Sequence, residues 1–167
     1  QSIIGEKTKP VDLVEKVMNK KRVLASIRDI TKTRINPVVA SSGLSIQYAI
    51  MMGLVDDAFE KHKGKIIKFI VPPNCYGGTN DQARRVAACI QGVEITDLPV
   101  DSGNDMVQSI EKVLAQAAQE NAVPYIIAEI PTNPRVEVPD LLGLKAALSK
   151  VRNTKKGRPA VEPVFIL

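Results

Sequence analysis

The chain has 167 residues, 44% of them hydrophobic and 25% charged, with a formal net charge of +5. That length can bury one real core, and the composition excludes a disordered, collagenous or low-complexity chain. No apolar run approaches the roughly 20 residues of a membrane helix, and aromatics at 4% with no Trp leave few stacking platforms for nucleic acid.

Helical and strand patterns alternate along the sequence. Pro10 to about Ile30 reads as a helix, with Val11, Val14, Val17, Met18, Leu24 and Ile27 mostly three or four residues apart, and Asp12 with Glu15 spaced as a capping pair. Asn36-Pro37 breaks it, and the apolar Val38-Val39-Ala40 leads into Ser41-Ser42-Gly43. A second helix is predicted from Leu44 to about Phe59, closed by Gly64. Ile66 to Val71 is a β-branched strand ended by Pro72-Pro73. Thr79 and Gln82 have capping-box spacing for a helix through Ile90, and Gly92 ends it. Val93 to Val100 is the next strand. Asn104 is placed to cap a helix from Asp105 to about Gln119. Tyr125 to Ile130 is a strand, Leu141 to about Val151 a helix, and Val164 to Leu167 a final strand. Apolar strands alternating with helices imply an α/β fold, a mainly parallel sheet with helices on both faces.

Most basic residues fall in three patches, around Lys16 to Arg22, Lys61 to Lys68 and Lys150 to Arg158. Two of them begin at helix ends, where cations complement the helix dipole, so they read as solvated surface rather than a nucleic-acid face. Cys75 and Cys89 are too far apart for a Cys-x-x-Cys pair, and His62 is the only histidine. No metal site is expected from so few ligands. His62 sits in a polar stretch that suits an exposed helix end better than a Ser-His-Asp site. The absence of a disulfide framework and of any signal peptide suits a cytoplasmic protein that does not enter a membrane.

In an open parallel sheet, ligands bind beyond the carboxyl ends of the strands, and three loops are expected there. Ser41-Ser42-Gly43-Leu44-Ser45 runs into a helix whose unpaired N–H groups can receive a phosphate. It is neither a Walker loop nor a Gly-x-Gly-x-x-Gly turn, and plain capping would also explain it. Asn74-Cys75-Tyr76-Gly77-Gly78-Thr79 places a Tyr where its ring can lie on an aromatic ligand, or can merely cover the sheet edge. In Glu129-Ile130-Pro131-Thr132-Asn133-Pro134 a carboxylate sits in a buried-looking strand, which is costly unless paired or functional.

These three loops, in this order and spacing, resemble the pyridoxal-phosphate enzymes of cysteine and methionine metabolism, the cystathionine synthases and lyases and methionine γ-lyase. The resemblance covers roughly positions 38 to 167. It implies part of the large domain of a fold-type-I pyridoxal-phosphate-dependent transferase, and the helical segment over 1–37 that precedes it lies outside the resemblance. It further implies that Ser42 and the backbone of Gly43 and Leu44 hold the cofactor phosphate. Tyr76 would stack on the pyridine ring, Glu129 would lie beside the cofactor, and Asn133 near its phenolic oxygen. The implied reaction is elimination or replacement at the β or γ carbon of a sulfur amino acid, in a homo-oligomer.

Two departures accompany it. Leu44 stands where the family usually has Met, and Thr33-Arg34-Ile35-Asn36-Pro37 echoes the family's Tyr-x-Arg segment without the Tyr and too close to Ser42. The chain begins at Gln1 and stops inside the apolar Val164-Phe165-Ile166-Leu167, so the expectation is a piece of a longer protein. By the resemblance, the aspartate that pairs with the pyridine nitrogen and the Schiff-base lysine would follow Leu167, and these 167 residues alone would be inactive. The rival expectations are a nucleotide- or phosphate-binding α/β domain of another enzyme class, and a non-catalytic interaction domain with a basic surface.

Overall fold

A computed structural model describes residues 12–73, 75–100, 105–132 and 136–167. The chain divides into two units, Gln1–Ser41 and Ser42–Leu167.

In the first unit, α1 (Leu13–Thr31) follows the spacing of its apolar residues, yet none of its residues is buried. Leu13, Val14, Val17, Met18 and Ile30 all remain exposed. Asp12 holds the N-cap position but its side chain makes no capping bond, so the expected pair with Glu15 does not form. The helix ends at Lys32, whose left-handed backbone (φ 53°) stops the ladder.

In the second unit, α2 (Gly43–Lys61), β1 (Ile67–Val71), α3 (Gly77–Cys89), β2 (Val93–Asp97), α4 (Met106–Gln119), β3 (Val123–Ile127), α5 (Leu141–Ser149) and β4 (Val164–Ile166) follow in order. The four strands form an all-parallel sheet in the order β2-β1-β3-β4. β2, β3 and β4 end earlier than the sequence suggests, and β3 begins two residues before the expected Tyr125, at Val123. Leu98, Val100 and Ala128 are buried like strand residues but lie past the last ladder pair, so hydrophobicity overruns the sheet.

Strand alternation builds two cores. Ile67, Phe69, Val71, Val123, Tyr125 and Ile127 face one side and pack with Met51, Val55 and Ala58 of α2 and Ala83 and Val86 of α3. Ile70 and Ile126 face the other side and pack with Ile110 and Leu114 of α4 and Leu144 and Ala147 of α5. Helices therefore cover both faces, as a parallel sheet requires. Tyr125 joins its core to α2 by donating its hydroxyl to the Leu54 carbonyl at 3.1 Å, with its ring 5.8 Å from that of Phe69. On the opposite face Lys68 is buried and answered by Glu120, next to α4, and by Glu94 of β2 at 3.6 Å.

Two capping expectations change. Asp105, not Asn104, caps α4, its carboxylate accepting from Val107 N and Gln108 N at 2.8 and 3.1 Å. Asn104 lies outside the described residues. Thr79 and Gln82 stand inside α3, whose N-cap is Tyr76, and both reach across to α2 instead of capping. Gly64 and Gly92, at φ +76° and +86°, make the left-handed turns that lead from helix into β1 and β2, which an L side chain would strain. Among the described residues no helix is long and apolar enough to cross a membrane.

Candidate functional site

The chain leaves β1 and returns through α3 to β2 on one side. It leaves β3 and passes through α5 to β4 on the other. β1 and β3 are neighbours, so the gap between their carboxyl ends is the switch point of the sheet, where the diverging connections open a crevice. Tyr76 follows β1 and Glu129 follows β3. The two meet in that crevice, with the Tyr76 N–H donating to Glu129 Oε1 at 3.1 Å. Glu129 is therefore not embedded in a strand as its sequence context suggests. It lies two residues beyond β3, half-buried, and its carboxylate is answered by a backbone donor.

The third expected loop arrives differently. No strand precedes α2 among the described residues, so Ser41–Ser45 does not leave a sheet edge. Ser42, Gly43 and Leu44 reach the crevice because α2 packs on the Phe69–Tyr125 face and aims its amino end at the same place. Ser42 caps that end: it is extended, and its Oγ accepts from Ser45 N at 3.1 Å and pairs with Ser45 Oγ at 2.9 Å. Gly43 and Leu44 occupy the first helical turn, whose N–H groups have no intrahelical acceptor and carry the positive end of the dipole. No acidic residue stands in the first turn of α2 or of α3 to oppose an anion.

Between these pieces lies a cavity of about 400 Å³ lined by Ser42, Gly43, Leu44, Gln47, Tyr76, Thr79 and Glu129. Five of the six candidate residues thus come together. The sixth, Asn133, lies outside the described residues, as does Asn74. The sequence pattern does not single out Gln47, and it assigns Thr79 to a cap. Only the α2–α3 packing places them here.

Gly78 shapes the aromatic wall. A Cβ there would sit 2.6 Å from Tyr76 Cε1 and 3.1 Å from Leu44 Cδ2, so the ring rests where only glycine leaves room. The Tyr76 side chain is still half-exposed, 53% overall, and accessible to a ligand. Cys75, beside it, is a poor nucleophile: burial first, and the Glu129 charge second, push its thiol above the usual range. His62 is the half-buried C-cap residue of α2, its N–H bonded to Ala58 O at 2.8 Å, and takes no part in the cavity.

A second hollow of about 420 Å³ is lined by Leu114, Pro124, Val161, Pro163 and their neighbours. It lies at the amino ends of β3 and β4, the wrong end of a parallel sheet for a ligand site. Among the described residues no group of three or more His, Cys, Asp or Glu is placed to hold a metal ion. No protein-family model matches the chain, and no curated protein matches it either.

Proposed function

We propose that the cavity at the switch point binds pyridoxal 5′-phosphate, and that the chain is the cofactor-binding part of an enzyme acting on sulfur amino acids by β or γ elimination or replacement. The observation that carries the reading is the convergence of three distant loops on one cavity. A capped, acid-free helix N-terminus supplies a place for a phosphate, and an accessible tyrosine ring set by Gly78 supplies a place for a planar heterocycle. Those residues fit the group in kind: anion donors, an aromatic face and a carboxylate line one cavity.

In this reading Ser42, Gly43 and Leu44 receive the phosphate through N–H groups and a hydroxyl, which fixes one end of the ligand. Tyr76 covers a ring face and keeps water from it. Glu129 holds the Tyr76 loop against the carboxyl end of β3 through its bond to Tyr76 N, so the ring and the phosphate turn stay in fixed relation. Asn133 is assigned to the ring's phenolic oxygen by resemblance alone. When bound, the cofactor supplies the electron sink for bond breaking next to the amino acid's α carbon. No residue among these 167 is assigned to proton transfer. The amino acid substrate and a homo-oligomeric parent belong to the same proposal.

Calorimetry with pyridoxine 5′-phosphate tests it, since this analogue lacks the aldehyde that reacts with surface lysines. Binding that requires the phosphate and weakens in Tyr76→Ala supports the reading. Tighter binding of a nucleoside monophosphate would favour a nucleotide site instead. Salt-sensitive binding of polyanions that ignores Tyr76→Ala would favour a basic interaction surface.

A further inference from the structure

Thr79 and Gln82 are three residues apart on α3, and Leu44 and Gln47 three apart on α2, so each pair shares one helix face. Thr79 Oγ1 donates to Gln47 Oε1 at 3.1 Å, and Gln82 Nε2 donates to the Leu44 carbonyl at 3.0 Å. Two side-chain bonds thus run side by side between the first two turns of two helices whose amino ends line the same cavity. Thr79 is buried, at 5% exposure. Gln47 Nε2 and Gln82 Oε1 are also buried and find no partner among the described residues.

We infer that Thr79, Gln82 and Gln47 are positioning residues, a clasp that sets the first turn of α2 against the Tyr76 loop so that the α2 N–H groups converge on a bound phosphate. The inference rests on the reading of the cavity as a phosphate site and adds residues that act on it indirectly. Buried polar atoms without partners cost stability, and an apolar pair of the same volume would join the two helices at less cost. The polar contact is explained by direction instead. A hydrogen bond to the Leu44 carbonyl fixes the tilt of a peptide plane in the turn that receives the anion, which an apolar contact cannot do. The Thr79 hydroxyl holds Gln47 by its oxygen, which fixes that side chain along the α2–α3 seam, where both residues line the cavity.

The test is calorimetric titration of inorganic phosphate, with thermal unfolding recorded in parallel, for the wild type, Thr79→Ser, Thr79→Val and the double variant Gln47→Met/Gln82→Met. The double variant is expected to unfold at the wild-type temperature or above it, yet to bind phosphate about five- to tenfold more weakly. Thr79→Val should weaken binding similarly, and Thr79→Ser, which keeps the hydroxyl, should restore it to within about twofold. A contact that only stabilises the fold would show the reverse, a lower unfolding temperature with unchanged affinity, and that result overturns the inference. A wild type that binds no phosphate would sink the reading of the cavity. Amide exchange then judges the clasp alone: it should run about fivefold faster over Leu44–Gln47 in Thr79→Val, with the last turn of α2 unchanged. Equal exchange in the two proteins overturns the clasp as well.

Discussion

The Tyr76 N–H and Glu129 Oε1 stand 3.1 Å apart and join two loops separated by 53 residues, one after each strand of the switch point. Both residues line the cavity. The bond makes Glu129 a structural tie, because its carboxylate holds the backbone from which the Tyr76 ring projects. Glu129→Ala should accelerate amide exchange at Tyr76 and cost about 0.5–1.5 kcal/mol of stability, while Glu129→Gln, which keeps an oxygen acceptor, should lie between. Exchange rates by NMR decide it, and an unchanged Tyr76 amide in Glu129→Ala would refute the tie.

Gly78→Ala separates ring placement from folding. The new Cβ would lie 2.6 Å from Tyr76 Cε1, the far end of an exposed side chain that is free to swing away. Alanine favours the helix by about 0.5–1 kcal/mol, so the variant should be no less stable. Loss of the stacked ring should weaken pyridoxine 5′-phosphate about three- to tenfold. Paired melting and calorimetry measurements test both halves.

Much of this architecture is legible in the residues, and the parts that are not have physical causes. The alternation of β-branched runs with helical spacing marks every strand and helix of the second unit, and in the central β1 and β3 burial on both faces makes the apolar run nearly continuous. Strand ends are not legible for the same reason: Leu98, Val100 and Ala128 are apolar to fill the cores beyond the ladder. Short polar spacings mislead where tertiary contacts compete. Thr79 and Gln82 have the spacing of a capping box, but α2 offers them a carbonyl and an amide, so they cross between helices. Ser42, Gly43, Leu44, Tyr76 and Glu129 are identifiable from their loops. Gln47 carries no local signal, since only the packing of α2 on α3 brings it to the cavity. For α1 the apolar spacing gives a helix, but none of its residues is buried.

Tyr125 ties the sheet to α2 and should make stability sensitive to alkali. Burial first, and then the Asp57 charge, raise its phenol above the ordinary value of 10.0. The folded chain therefore keeps a proton that the unfolded chain releases. The stabilisation is complete below pH 10 and falls as pH rises through the folded value. Tyr125→Phe should cost about 1 kcal/mol at neutral pH through the lost bond to Leu54 O, and should flatten that alkaline decline. Denaturant unfolding at pH 7 and above pH 10 measures both effects.

Lys68 and Glu120 give the acid counterpart. The hydrogen bond from Lys68, followed by that from Gln116, holds the Glu120 carboxyl below its ordinary value of 4.5. The unfolded chain takes up this proton first, so the contribution is present above pH 4.5 and is lost as pH falls through the lower folded value. Glu120 is partly exposed and screened, so Glu120→Gln should cost only about 1 kcal/mol at pH 7. It should also make stability less steep between pH 5 and pH 3, in about the range where a carboxylate titrates. An identical acid profile in variant and wild type would show that the pair contributes nothing.

If the cavity is a cofactor site, the first turn of α2 and the Tyr76 loop bind one ligand together. The direct measurement is an NMR titration of the ¹⁵N-labelled chain with pyridoxine 5′-phosphate, using pyridoxine and inorganic phosphate as partial ligands. Phosphate alone should shift the Gly43, Leu44 and Ser45 amides, and the complete ligand should also shift Tyr76, Gly77 and Gly78 at the same saturation. Shifts confined to the lysine-rich surface, or the two segments saturating at different concentrations, would contradict a shared site.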